Sequence, residues 1–259
     1  MKAVILAGGF GARISEESRL RPKPMIEIGG APILWHIMKI YSHYGFSEFI
    51  ICCGYKGYMI KQYFAGYFLR RGGVTFDFAG NKTIVHGNGA EPWKVTVIDT
   101  GLYTQTGGRI KRAAKYIGGE RFMLTYGDGV GDIDLPELIR THEKSGNTVT
   151  LTAVQPAGRF GVLDISGDDG RVTGFREKAR EEGVWVNAGF MVMEPEIFEY
   201  LDGDSTVFEC GPLQRLSAEG KLGAYKHRKF WACMDTLNDK RALEADWASG
   251  GAKWKVWDD

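Results

Sequence analysis

After Lys2 the chain runs Ala3-Val4-Ile5-Leu6-Ala7 without a polar residue and then stops at Gly8-Gly9. A strand with one wet face alternates apolar and polar side chains, whereas an unbroken apolar run of this length marks a parallel strand covered on both faces. A sheet built from such strands needs helices above and below it. The expected fold class is therefore an α/β sandwich with a mostly parallel sheet.

The rest of the first half keeps to that plan. Pro32 to Tyr44 reads as a helix, with proline at its start and Gly45 behind its end, and Phe49 to Cys53 as a second buried strand. Gly57 to Leu69 reads as an amphipathic helix, Val74 to Phe78 and Lys94 to Ile98 as shorter strands, and Gly108 to Tyr116 as a further helix. Phe122 to Tyr126 is an apolar strand ending in Gly127-Asp128-Gly129, with a helix near Leu135 to Lys144 behind it. The segment from Arg71 to Glu91 is rich in glycine and polar residues and reads as a flexible insert at the sheet edge. Beyond Thr148 the texture becomes β-rich, over Val149 to Val154, Gly161 to Ile165, Arg171 to Arg176 and Trp185 to Met193. Helices return at Pro195 to Leu201, Pro212 to Glu219 and Leu237 to Ala248. With no internal repeat and no low-complexity linker, residues 1–259 read as one domain of two halves, about 1–147 and about 148–259.

Charge narrows the partners. The 33 basic and 32 acidic residues leave a formal net charge of +1, so no global field draws the chain to nucleic acid or to an anionic membrane. Any phosphate ligand must be held locally. Cys52, Cys53, Cys210 and Cys233 include no C-x-x-C spacing, which fits neither a disulfide framework nor a zinc site and points to the cytoplasm. The first apolar run is too short for a signal segment or a membrane span. His36, His43, His86, His142 and His227 have no metal-ligand spacing and are expected to be structural or exposed. The tryptophans near the C-terminus, Trp231, Trp247, Trp254 and Trp257, are expected in core or subunit packing.

The strongest chemical signal is Leu6-Ala7-Gly8-Gly9-Phe10-Gly11-Ala12-Arg13, continued by Arg21-Pro22-Lys23-Pro24. Glycines let backbone N–H groups surround phosphate oxygens, and Arg13 and Lys23 can neutralise a triphosphate and its leaving pyrophosphate. The prolines on either side of Lys23 restrict the backbone that carries it. A glycine turn after a strand, with two solvated basic residues, is the plainer reading. The spacing fits neither the dinucleotide fingerprint nor the NTPase loop. Asp128 stands between glycines at a strand end, open to a hard cation such as Mg²⁺, or is simply a turn aspartate. Asp132 and Asp134 read as a solvated loop and a helix start.

Gly8-Gly9-Phe10-Gly11-Ala12-Arg13-Ile14 with Pro22-Lys23-Pro24 resembles the G-G-x-G-T-R-L…P-K-P signature of the sugar-1-phosphate nucleotidyltransferases. The resemblance extends over nearly the whole chain, through Ile50 to Tyr58, Thr106-Gly107-Gly108-Arg109, Thr125 to Gly129 and Met234-Asp235-Thr236. It departs at Ala12, where the family has threonine, and at Ile14. It implies a Rossmann-like mixed sheet flanked by helices, with a β-rich sugar-binding portion. The similarity is to the cytidylyltransferase subgroup, which implies CTP and glucose 1-phosphate as substrates. UTP or dTTP enzymes and a nucleotide-sugar sensor without catalysis remain as alternatives.

The resemblance also assigns roles. Leu6, Ala7, Gly8, Gly9, Gly11, Ala12, Arg13, Lys23, Thr106, Arg109 and Gly127 are expected to bind the nucleotide, and Asp128 with Asp235 to hold Mg²⁺. Asp235 has a competing reading as a helix N-cap. Glu177, Lys178, Asn187 and Gly189 are expected at the sugar phosphate, although Glu-Lys alone is usually a surface pair and Ala179 stands where the family often has proline. Arg13, Lys23, Asp128, Lys178 and Asp235 form the expected catalytic set, and a homo-oligomer is implied.

Overall fold

The computed structural model describes residues 1–87, 89–156, 162–166, 171–176 and 184–258, with 162–166 and 171–176 described as backbone alone. The first apolar run forms β1 (Ala3–Ala7), at the centre of an eight-stranded sheet. The others are β2 (Glu48–Cys53), β3 (Lys94–Asp99), β4 (Phe122–Tyr126), β5 (Val149–Val154), β6 (Val186–Asn187), β7 (Met191–Met193) and β8 (Leu222–Lys226). Their order is β3-β2-β1-β4-β7-β5, with β6 and β8 also pairing with β5. Strands β1 to β4 are mutually parallel, β7 runs antiparallel between β4 and β5, and β8 is parallel to β5.

The unbroken apolar character of β1 follows from burial on both faces. Ala3, Ile5 and Ala7 join a core with Leu34, Ile37, Met38 and Tyr41 of α1 (Ile33–His43). Val4 and Leu6 point the other way, into a second core with Ile110, Ala113 and Ile117 of α3 (Thr106–Ile117). Between these helices in sequence lies α2 (Gly57–Ala65). After them come α4 (Leu135–Ser145), α5 (Pro212–Ala218) and α6 (Leu237–Ala248). Trp254 and Trp257 are buried in the first core, where Trp254 Nε1 lies 3.3 Å from His36 Nδ1 and the other imidazole nitrogen lies 2.8 Å from the Ile28 carbonyl oxygen.

Several boundaries differ from the sequence reading, each for a local reason. The helix expected over Gly57 to Leu69 ends at Ala65 and resumes as Tyr67–Arg71, because Gly66 interrupts it. The insert after Arg71 is an ordered antiparallel hairpin, Gly73–Asp77 against Lys82–His86, closed by a turn with Asn81 at φ 49°. The strand expected over Trp185 to Met193 is split into β6 and β7 by Gly189 at φ 77° and Phe190 at φ 45°. Asp134 caps α4 as expected, accepting from the Glu137 N–H at 2.9 Å, whereas Asp132 is not merely solvated: it pairs with buried His227 at 3.1 Å. All four cysteines are free thiols, and among the described residues no helix is long and apolar enough to cross a membrane.

Candidate active site

The chain leaves β1 toward β2 and β3 on one side and later returns to β4 on the other, so the sheet changes direction between β1 and β4. Ligands of open α/β sheets bind beyond the carboxyl ends of strands at such a point. Two glycine turns meet there. Gly11 adopts φ 65° in the loop after β1. Gly127, after β4, donates to the Leu6 carbonyl at 3.0 Å, and a β-carbon on it would fall 2.9 Å from that oxygen and 2.9 Å from Pro24.

A short strand, Trp231–Cys233, pairs with Gly129–Gly131 and delivers Asp235 to the same place. Thr236, not Asp235, caps the following helix, in a reciprocal capping box with Asp239. The Asp235 carboxylate therefore meets the site's cations instead. Lys23 donates to Asp128 Oδ2 at 2.6 Å and to Asp235 Oδ1 at 2.6 Å, while Arg13 reaches Asp235 Oδ2 at 2.6 Å. Burial alone would lower the pKa of the Lys23 ammonium, but the Asp128 charge and the bonds to both aspartates outweigh it and the net shift is upward. Arg13 is 73% exposed in its side chain and Lys23 only 11%, so Arg13 is the more adaptable of the two cations.

One oxygen from each aspartate and the Cys233 sulfur lie within 4.8 Å of one another. Two carboxylates at a strand end suit a hard cation such as Mg²⁺. Cys233 is a residue that spacing did not single out. Burial, then the Asp128 charge, pushes its thiol far up, so it keeps its proton.

Two cavities adjoin this charge cluster. The first encloses about 470 Å³. Leu6, Ala7, Gly8, Gly9, Gly11 and Ala12 line one side, and Arg13, Lys23, Gly127, Asp128 and Asp235 line the end shared with the cluster. Thr104 lines it from the loop after β3, and Thr106 and Arg109 line it from the first turn of α3. Arg109 is 5% exposed, and its guanidinium is turned to the protein's own oxygens: Gly8 and Cys53 at 3.1 Å, Thr100 Oγ1 at 2.6 Å, Gly101 at 2.8 Å and Leu102 at 3.3 Å. It ties the ends of β1, β2 and β3 together. Gly8 is required beside it, because a β-carbon there would sit 2.2 Å from the guanidinium carbon.

The second cavity, about 1000 Å³, shares Arg13, Tyr126, Asp128 and Asp235 with the first and extends to Asn187, Glu209 and Trp231. The Thr106 hydroxyl donates to Glu209 Oε2 at 2.7 Å, the Tyr126 hydroxyl to Glu209 Oε1 at 2.6 Å, and Asn187 Nδ2 to the Tyr126 oxygen at 3.2 Å. Burial and then the Glu209 charge push the Tyr126 phenol far up, so it stays protonated. Gly189 is buried and does not line the cavity; its N–H donates to Asn187 Oδ1 at 2.9 Å and steadies that amide. Glu177 and Lys178 lie outside the described residues. Tyr126 could have been found from its place two residues before Asp128; Glu209 carries no local signal.

A family model described as nucleotidyl transferase matches residues 2–231. The chain belongs to the nucleotidyl transferase family. It is 53% identical over 259 residues to the glucose-1-phosphate cytidylyltransferase of Salmonella typhi, covering 100% of both chains. It is 44% identical over 258 residues to a probable glucose-1-phosphate cytidylyltransferase of Bacillus subtilis, covering 99% of this chain and 100% of the other. Among solved structures, HddC from Yersinia pseudotuberculosis superposes with a TM-score of 0.69 at 26% identity, over 95% of this chain and 99% of that one. This nucleotidyl transferase therefore shares both sequence and fold with its relatives.

Proposed function

We propose that this enzyme transfers the cytidylyl group of CTP to glucose 1-phosphate, forming CDP-glucose and pyrophosphate. The full-length identity of 53% to a glucose-1-phosphate cytidylyltransferase supports both substrates. The observation that carries the chemistry is the cluster of Lys23, Asp128, Asp235 and Arg13 where two cavities meet, one beside the glycine loop and one beyond it.

The first cavity takes the nucleotide and the second the sugar phosphate. A phosphate monoester has its second pKa near about 6, so its oxygen is already ionised near neutrality and attacks without a general base. That oxygen forms a bond to the α-phosphorus as the bond to the bridging oxygen of pyrophosphate breaks, and the electron pair leaves with pyrophosphate. Asp128 and Asp235 are the residues that would hold Mg²⁺, which supplies positive charge to the phosphate oxygens. Lys23 and Arg13 line the same end of the first cavity and disperse the charge of the leaving group. Lys178 and Glu177 belong to the acceptor side of this reading, as does Asn187.

The reaction belongs in the cytoplasm, a placement that the four free thiols support. The chain assembles as a homo-oligomer. Its isolated hairpin supports this, since Phe76 and Phe78 are 52% and 92% exposed and two-stranded hairpins gain little stability alone. The deciding experiment measures pyrophosphate release and kcat/KM for CTP, UTP, dTTP and ATP at saturating glucose 1-phosphate, with and without Mg²⁺. CTP should be the preferred nucleotide and EDTA should stop turnover; a UTP value equal to or above that of CTP overturns the cytidylyl assignment.

A further inference from the structure

Glu209 meets two elements of the site at once, Thr106 and Tyr126, and a carboxylate can only accept hydrogen bonds. Both hydroxyls that meet it must therefore donate: Thr106 at 2.7 Å and Tyr126 at 2.6 Å. With its proton turned to Glu209, the Tyr126 oxygen presents a lone pair to Asn187, whose Nδ2 donates to it at 3.2 Å. The orientation of that amide is fixed from its other end, where Oδ1 accepts the Gly189 N–H at 2.9 Å. Among the described residues the second Nδ2 hydrogen has no partner, and Asn187 lines the second cavity beside Glu209.

We propose that Glu209 is a positioning residue that sets the hydrogen-bond polarity of the acceptor wall, so that the Asn187 amide offers a donor to a hydroxyl oxygen of the sugar phosphate. The inference rests on reading the second cavity as the sugar phosphate's. Its physical content is directional. Without an acceptor at position 209, the Tyr126 proton is free to turn toward Asn187, and an O–H facing an N–H repels it. The amide then loses one of the two partners that hold it, and the acceptor is held less tightly while the nucleotide side keeps its wall, because Thr106 Oγ1 is also held by the Phe208 N–H at 2.9 Å.

The test is a kinetic cycle on the full chain with CTP, glucose 1-phosphate and Mg²⁺. Glu209→Met removes the acceptor at similar length, Tyr126→Phe removes the link, and Glu209→Gln keeps one acceptor oxygen for Tyr126. The sugar-phosphate KM should rise about tenfold in Glu209→Met, the scale of one lost hydrogen bond, while the nucleotide KM stays within about twofold. Glu209→Gln should recover most of that loss. Tyr126→Phe should match Glu209→Met, and the double variant should be no worse than either, as expected for two members of one chain of bonds. If Glu209→Met does not fold, Tyr126→Phe against Glu209→Gln gives the same comparison. Equal rises in both KM values, additive effects in the double variant, or an unchanged sugar-phosphate KM overturn the proposal while the assigned reaction stands. A wild-type protein that turns over no sugar 1-phosphate overturns the assigned reaction and the proposal with it.

Discussion

Lys23 and Asp235 come from opposite halves of the chain, and the ammonium of one lies 2.6 Å from a carboxylate oxygen of the other in a largely buried contact. The same ammonium is equally close to Asp128, so one cation holds together two carboxylates that would otherwise repel each other.

Lys23→Ala should therefore destabilise the metal-free protein as well as slow it. Removing one partner of a mostly buried pair is expected to cost about 2 to 3 kcal/mol here, below the fully buried range because Asp128 is partly exposed. For a chain of this size that is roughly a 4 to 6 °C fall in Tm. Mg²⁺ should raise the Tm of Lys23→Ala more than that of the wild type, since the variant's carboxylates have lost their internal counter-charge. Thermal melts with EDTA and with Mg²⁺ check this; equal Mg²⁺ shifts in both proteins would remove the aspartates as the metal's ligands.

Asp128→Asn and Asp235→Asn should each lower kcat by about a hundredfold or more, the scale of a lost electrostatic group in a preorganised site. Isothermal titration with Mn²⁺ should show weaker metal binding in both variants. Near wild-type rates and metal affinity in both would set the metal assignment aside.

Arg109→Lys should impair nucleotide use without touching acceptor binding. A lysine cannot reproduce the fork of bonds to Gly8, Cys53, Thr100, Gly101 and Leu102, so the glycine loop loses its anchor. The nucleotide KM should rise about tenfold or more with the sugar-phosphate KM little changed. Initial-rate kinetics in both substrates decide between this and a general loss of structure.

Acid should weaken the fold through His36. Desolvation by burial lowers its pKa to about 4 from an ordinary value near 6.5, so the folded chain keeps it neutral while the unfolded chain takes up a proton. Its contribution to stability is complete above pH 6.5 and is lost as pH falls through about 4. At pH 5 the loss should be about 2 kcal/mol from this residue alone. Buried His142, also shifted downward, acts in the same direction. Urea unfolding at pH 7.5 and pH 5 should show a shallower pH dependence in His36→Gln than in the wild type, whatever its absolute stability.

Phe76→Ser with Phe78→Ser should shift the protein toward smaller species in light scattering, leaving the unfolding transition of the subunit in place. An unchanged mass would leave the hairpin without a part in assembly.

Much of this site was legible because its parts are local. Gly8 to Arg13 and Asp128 sit where a strand ends in glycine, and Lys23 stands between two prolines, so each signal is written in neighbouring residues. The two buried faces of β1 follow from its composition alone. Asp235 needed the family resemblance, since only pairing of Trp231–Cys233 with Gly129–Gly131 brings it to Asp128. Arg109 carries a motif signal for the nucleotide and does line the first cavity, but that its donors also serve oxygens at three strand ends depends on residues distant in the chain. Glu209 and Cys233 gave no signal, because each gains its meaning only from residues far away in the chain. The hairpin after Arg71 reads in sequence as a flexible insert because its glycines and polar residues resemble a linker, although its backbone is paired.

The antiparallel strand β7 has a further consequence, in the order in which the chain is made. It occupies the edge of β4, with Met191 opposite Leu124 and Met193 opposite Phe122. A ribosome that has released only the first half presents a sheet complete on the β2 side and open along β4, with apolar residues and unpaired backbone groups at that edge. Such an edge invites pairing with other nascent chains. The interval between synthesis of β4 and arrival of β7 is thus when this protein most needs a chaperone or slow crowding-free emergence, and synonymous changes in translation speed across that interval should alter soluble yield without altering the finished enzyme.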